Sequence, residues 1–230
     1  MIGKIFITRS GYDPERGKHV KDPYLGVNPT LGACRPDIRR QLAKGDHIFT
    51  ISGKVPGVNQ YVMGGFEIDS KMSAVEAYEQ FPEQRLRARD DGQLVGNIIV
   101  NAQGQQHDLD DHNSFDARIK NYVVGRNLIA LQTPEEIALG RVQTLEALVD
   151  ILEKKGKTPF EVVGRFGSKL KRNRFFDFVN GCHRSHRSRN SNLPSRRRRA
   201  PSHVQVGSVS RSTRWIDGQH ETWVRHPRRM

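Results

Sequence analysis

The chain has 230 residues and a formal net charge of +13, from 38 Lys and Arg against 25 Asp and Glu. The excess is confined to one end: residues 1–168 hold 22 basic and 22 acidic side chains, and residues 169–230 hold 16 and 3. That distribution excludes reading the whole chain as a basic nucleic-acid binder, and the lack of any run of about 20 apolar residues excludes a membrane-spanning helix. Two cysteines, Cys34 and Cys182, are too few for a disulfide framework or a four-cysteine zinc site. No long apolar leader follows Met1, so the expectation is a reduced, cytoplasmic protein with no membrane partner.

In chain order, Lys4–Arg9 reads as a strand with Ile5 and Ile7 on one face and Phe6 and Thr8 on the other. Ser10–Pro29 is rich in Gly and Pro, and so long a turn segment inside a compact domain points to a functional loop. Pro36 opens a short helix over Pro36–Ala43, because its fixed φ suits the first helical position, and Gly45 supplies the stop. His47–Ser52 and Gln60–Ile68 follow as strands, and Ser73-Ala74-Val75-Glu76 is a capping box that starts a helix ending near Gln80. Asn97–Val100, Lys120–Val124 and Asn127–Leu131 read as further short strands. Thr133-Pro134-Glu135-Glu136 starts a longer helix with an apolar ladder of Ala138, Val142, Leu145, Leu148, Val149 and Leu152. Thr158-Pro159-Phe160-Glu161 starts a last helix, which Phe175, Phe176, Phe178 and Val179 extend. The pattern predicts an α+β fold over residues 1–170: a small mixed or antiparallel β-barrel or sheet with flanking helices.

Residues 171–230 change character. From residue 169 onward there are 14 Arg and 2 Lys, against 12 Arg and 10 Lys before it, and no period of 2 or 3.6 is sustained. Beyond Gly181 there is too little apolar surface to offset the entropy of ordering, so a disordered basic tail is expected. The abrupt change suggests an altered reading frame or an acquired end. As a ligand for nucleic acid such a tail is generic and salt-sensitive.

Three constellations carry candidate chemistry. Thr30-Leu31-Gly32-Ala33-Cys34-Arg35-Pro36 places a small-residue loop before a helix start, where free amides attract anions, and Arg35, Arg39 and Arg40 add guanidinium groups suited to phosphate. Helical geometry reaching back to Arg35 would put Arg35 and Arg39 on one face; the alternative is a solvated helix paired with Asp37. Cys34 is either an activated thiolate or a small core residue. The second constellation is Asn97, His107, Asp108, Asp110, Asp111, His112 and Asn113, which reads as an acid–base or metal-binding loop with Asp108 and His112 as candidates, or as a solvated turn. The third is the loop Tyr12–Tyr24, where Tyr12, Arg16, Lys18, His19, Lys21 and Tyr24 mix rings and cations as a base-stacking surface does. No P-loop, dinucleotide fingerprint, nucleophile elbow or His-Glu-x-x-His motif is present, and no cofactor is called for.

Tyr24-Leu25-Gly26, Thr30-Leu31-Gly32-Ala33-Cys34-Arg35-Pro36-Asp37-Ile38-Arg39-Arg40 and Lys44-Gly45-Asp46-His47-Ile48 resemble the core signature of the nucleotide modification associated domain 2 family. Thr30, Leu31, Cys34, Pro36, Ile38, Arg39, Gly45 and Asp46 match it, whereas Arg35 stands where lysine is usual and His47 where tryptophan is usual. The resemblance covers residues 1–170 and implies a role in nucleic-acid base modification in a phage or bacterium, beside a co-encoded base-modifying enzyme. The helix, Gly-Asp turn and Gly-rich strand order also resembles the β-barrels of the pseudouridine-synthase-and-archaeosine-transglycosylase-like class. The expectation is a protein that binds a nucleotide or modified base, with Thr30, Arg35, Arg39, Arg40 and Ser52 holding its phosphate. The alternative is an enzyme on the same ligands, using Cys34 or the Asp108/His112 loop.

Overall fold

A computed structural model describes residues 2–170 and 175–182. Strands β1 (Gly3–Ile7), β2 (Thr30–Leu31), β3 (His47–Ile51), β4 (Val62–Met72), β7 (Tyr122–Ala130) and β8 (Ser168–Leu170) form one six-stranded sheet in the order β2-β7-β4-β3-β1-β8. β1 and β3 are parallel, and every other pairing in this sheet is antiparallel. β5 (Arg87–Ala88) and β6 (Leu94–Val95) make a separate hairpin. The sheet curls into a half-barrel. Register shifts at Thr50/Ile51, Gly65/Glu67 and Ile68/Ser70 mark the irregularities that bend β3, β4 and β7. The fold is therefore mixed α+β, as the periodicities predict.

A parallel pair cannot be closed by a tight turn, so the chain between β1 and β3 must cross over. That crossover contains the Gly/Pro-rich loop, the edge strand β2 and helix α1 (Pro36–Gln41). The alternation read in β1, and the same pleat in β3, sorts their side chains to two cores. Phe6 and Ile48 face α1, packing with Ile38, Leu42, Phe66 and Ile68. Ile5, Phe49 and Ile51 face α4 (Pro134–Leu152), α5 (Pro159–Val163) and the helical residues 175–182, meeting Ile137, Leu148, Val162, Phe175 and Val179. A third cluster joins α2 (Ala74–Gln80) through Ala74 and Ala77 to Ile98, Val100 and Tyr122, with Phe115 of the short α3 (Phe115–Arg118) packed against it.

Several expectations need correction. Lys120–Val124 and Asn127–Leu131 are one strand, β7, running through Gly125. Asn97–Val100 forms no ladder; Ile98 and Val100 make single bridges to Arg85 and Gln106. β8 lies between α5 and residues 175–182, so Phe175 and Val179 belong to a separate helix and do not extend the earlier one. That helix packs on the sheet, with the Phe175 and Phe49 rings 5.0 Å apart. The capping boxes at Ser73 and Thr133 form as read, and of the α4 ladder Leu145, Leu148, Val149 and Leu152 pack on the core while Ala138 and Val142 face outward. Its buried residues are Glu136, Ile137, Gly140, Thr144 and Leu148, while Val142 is 74% exposed. Gly140 sets that face: a Cβ there would lie 2.8 Å from Leu131 Cδ1, so the helix approaches β7 closely. One turn on, the Val62 amide donates to Thr144 Oγ1 at 3.0 Å. The expected tail beyond residue 182 lies outside the described residues. Among the described residues no helix is long and apolar enough to cross a membrane.

Candidate functional site

The segment read as a phosphate loop closes around an anion of the protein's own. The Asp22 carboxylate accepts from the amides of Gly32 (2.8 Å), Ala33 (2.9 Å) and Cys34, and from Asn97 Nδ2 at 3.0 Å. Asn97 Nδ2 also donates to Thr30 Oγ1 at 2.8 Å, and the Tyr122 hydroxyl donates to Asn97 Oδ1 at 2.7 Å. Asp22, Thr30, Asn97 and Tyr122 are all buried. Gly32 is required here by close approach: a Cβ would sit 2.4 Å from the Asn97 carbonyl oxygen.

Arg39, 0% exposed, seals the same region. Its Nε donates to Cys34 O, its Nη1 to Lys120 O and Asn121 O, and its Nη2 to Arg118 O and Ala33 O. All five guanidinium donors are engaged by backbone carbonyls, which leaves none for a phosphate. Arg35 does not share a helical face with it. Arg35 sits at φ 52°, ψ 54°, in the left-handed region outside the helix, and turns to Asp37 (2.9 and 2.6 Å) and to the Phe166 carbonyl (2.6 Å). Thr30 and Ser52 are fully buried; the Ser52 hydroxyl accepts from the Tyr61 amide. Of the five expected phosphate contacts, Arg40 alone is exposed. Burial, followed by the Asp22 charge, pushes the Cys34 thiol well above its ordinary range, the opposite of the depressed value an activated thiolate needs.

The acidic loop brings together a different set from the expected one. His112 Nδ1 meets Asp110 Oδ1 at 2.6 Å, and Gln106 Nε2 donates to Asp110 Oδ2 at 2.9 Å. Asp110, Asp111 and His112 offer ligand atoms within 4.8 Å of one another and are the residues of this loop that could hold a cation. Asp108 is exposed and outside that group. Arg118 ties this loop to the buried region, donating from Nε to Asn113 O and from Nη1 to Ala33 O.

Two concave surfaces lie on another side of the sheet, around Arg141. Its guanidinium donates to both Asp13 carboxylate oxygens at 3.0 Å, to Glu15 Oε2 at 2.9 Å and to the Asn59 carbonyl, and its Cζ lies 4.6 Å from the Tyr61 ring centroid. Asp13 is itself fully buried and accepts from the amides of Glu15 and Arg16, so this cluster anchors the Gly/Pro-rich loop to α4. One cleft, of about 430 Å³, opens between that loop, the ends of β4 and β7 and the start of α4. His19, Tyr24 and Leu25 border it from the loop, Tyr61, Met63 and Leu131 from the core, with Glu15 and Gln132 as its polar groups. Burial and the Asp13 charge push the phenol of Tyr61, itself 1% exposed, up. Partial burial and the charge of Arg89 hold His19 below its ordinary value, so its ring is neutral at pH 7. The second cleft, of about 680 Å³, lies on the other side of Arg141, between the 54–60 loop, α4 and α5.

His19 and Tyr24 were within reach of sequence reasoning, through the mixture of rings and cations in the loop. Tyr61 and Arg141 were not: Arg141 finds Asp13 across 128 positions, and neither carries a local motif. No protein-family model, curated protein or solved structure matches this chain.

Proposed function

We propose that the chain binds a nucleobase, plain or modified, in the cleft bordered by His19, Tyr24 and Tyr61, and that it acts in a base-modification pathway of a phage or bacterium beside a co-encoded modifying enzyme. The half-barrel is then a variant of the pseudouridine-synthase-and-archaeosine-transglycosylase-like architecture. One observation carries the reading. A cleft of about 430 Å³ has apolar walls from Leu25, Met63 and Leu131, with the Tyr24 ring and the His19 imidazole at its border. Flat apolar walls with a few convergent polar groups suit a heteroaromatic ring, which stacks on one face and hydrogen-bonds at its edge. The phosphate contacts expected at Arg39, Thr30 and Ser52 are not part of the proposal, because those groups are buried and engaged within the fold.

Titration of free nucleosides, plain and base-modified, into the full chain tests it. Tyr24→Ala should weaken the preferred nucleoside about tenfold, since one base–aromatic stack is worth roughly 1–3 kcal/mol. Absence of binding by any nucleoside, or unchanged affinity in Tyr24→Ala, overturns the reading. A catalytic alternative has a specific footing in the close His112–Asp110 pair beside Asp111. A mass change in the same nucleosides on adding a divalent cation, abolished by Asp110→Asn, would establish it.

A further inference from the structure

We infer that the larger cleft carries the phosphodiester backbone of a single-stranded polynucleotide running on from the nucleobase cleft, so that the ligand is a base within an unpaired strand. The inference rests on the proposed nucleobase cleft and adds to it the class of molecule that delivers the base.

Charge supplies the first argument. Lys54, Lys157 and Arg165 all border the larger cleft, all three are exposed, and none is in an ion pair among the described residues. The cleft's carboxylate, Glu161, accepts from the Lys157 amide at 2.8 Å and the Thr158 hydroxyl at 3.2 Å, and its charge offsets one of the three. The fourth cation at its edge, Arg141, is already paired with two carboxylates, Asp13 and Glu15. Residues 1–168 have no net charge, so three cations without a salt-bridge partner bordering one concavity, against the single lining carboxylate of Glu161, are a local feature and not a sample of a basic surface.

Shape and aromaticity supply the second. Phe160, 57% exposed, stands in the same cleft between Lys157 and Arg165 in sequence. A ring flanked by cations in a concave groove is the arrangement that holds unpaired bases by stacking and their backbone by charge. A duplex keeps its base faces stacked internally and offers none to such a ring. Continuity supplies the third. The Arg141 guanidinium borders the larger cleft while hydrogen-bonding Glu15 and lying over Tyr61, both of which border the smaller one. One side chain thus separates the two clefts, and a strand passing over it would place a base on one side and its neighbouring phosphates on the other.

The test uses the full chain, wild type and K54A/K157A/R165A, with a labelled ten-nucleotide single strand followed by fluorescence anisotropy across a salt series. The basic C-terminal segment is common to both proteins and cancels in the comparison. The triple variant should bind the strand at least tenfold more weakly at low salt. Its log–log salt slope should be smaller by about 2, since each phosphate neutralised on a single strand contributes roughly 0.7. Nucleoside affinity should be unchanged by the same substitutions. Equal strand affinity and salt slope in the two proteins overturns the inference, as does displacement of the strand by poly-glutamate at matched charge, which would assign the cleft to an acidic protein segment. Failure of the nucleobase reading is separately visible: the wild type would then bind the strand with the predicted slope but no free nucleoside.

Discussion

The Asp22 region and the Arg141 region use the same chemistry and reach opposite ends. Each has a buried carboxylate, backbone amides turned toward it and an arginine nearby. Around Asp22 every group faces inward: three amides and Asn97 saturate the carboxylate, and Arg39 directs all five donors to carbonyls. Around Asp13 the same kind of cluster stands between two clefts, with Arg141 bordering one and Glu15 the other. The comparison teaches that a small-residue loop before a helix can look like an anion site in sequence because it is one, with the anion supplied by residue 22 of the same chain. Helix α1 is then a structural element, and the chemistry open to a ligand lies on the loop that Arg141 anchors.

The largest expected effect separates the two regions directly. Asp22→Ala leaves three backbone amides without their acceptor, each worth roughly 1–3 kcal/mol when orphaned, and takes one of the two acceptors of Asn97 Nδ2. The substitution should therefore cost about 4 kcal/mol or more in urea unfolding of the full chain. A cost below about 1 kcal/mol would mean that the region is an open anion site after all.

Arg141→Ala should cost less, about 3 kcal/mol, because Asp13 keeps its two backbone amides and the damage centres on the 10–29 loop. It should also change the pH dependence of that loop. Burial raises the Asp13 carboxyl, but hydrogen bonds from Arg141 and from the Glu15 and Arg16 amides outweigh it, and the net shift is downward. A carboxyl held below its unfolded value stabilises the fold above that value and loses the contribution as pH falls through the folded one. Without Arg141 the folded value rises, so acid-induced opening of the loop should move to higher pH. Limited proteolysis between residues 10 and 29 across a pH series checks this, and an unmoved transition would show that Arg141 does not set it.

Much of the fold was legible because it rests on local rules. Ser73 and Thr133 satisfy neighbouring amides within four residues, and the alternation of Ile5 and Phe6 needs only the pleat of a strand. What escaped depends on distant partners. Asn97–Val100 has strand-like residues, yet it sits between Arg85 and Gln106 with no strand long enough to pair with. The likeness of Thr30–Arg40 to a phosphate loop failed to reveal Asp22, because the residue that fills the loop lies outside the motif. The loop residues His19 and Tyr24 were visible as composition. The cleft they border was not, since its other wall comes from Tyr61, Met63 and Leu131.

The smallest expected effect tests which face of α4 supports the Arg141 wall. The apolar spacing of Ala138, Val142 and Leu145 predicts that Val142 is core, but Gly140 lets the helix approach Leu131 closely and rotates Val142 into solvent, 74% exposed. Val142→Ser should therefore change stability by no more than about 0.5 kcal/mol, as for other exposed positions. Leu148→Ala, on the buried face, should cost about 2–4 kcal/mol by leaving a cavity beneath the sheet. The pair is informative because both are aliphatic residues on one helix and differ mainly in direction. If Val142→Ser were as costly as Leu148→Ala, α4 would present its other face to the sheet. Arg141, adjacent to Val142, could not then reach Asp13, and the wall between the two clefts would be lost with it.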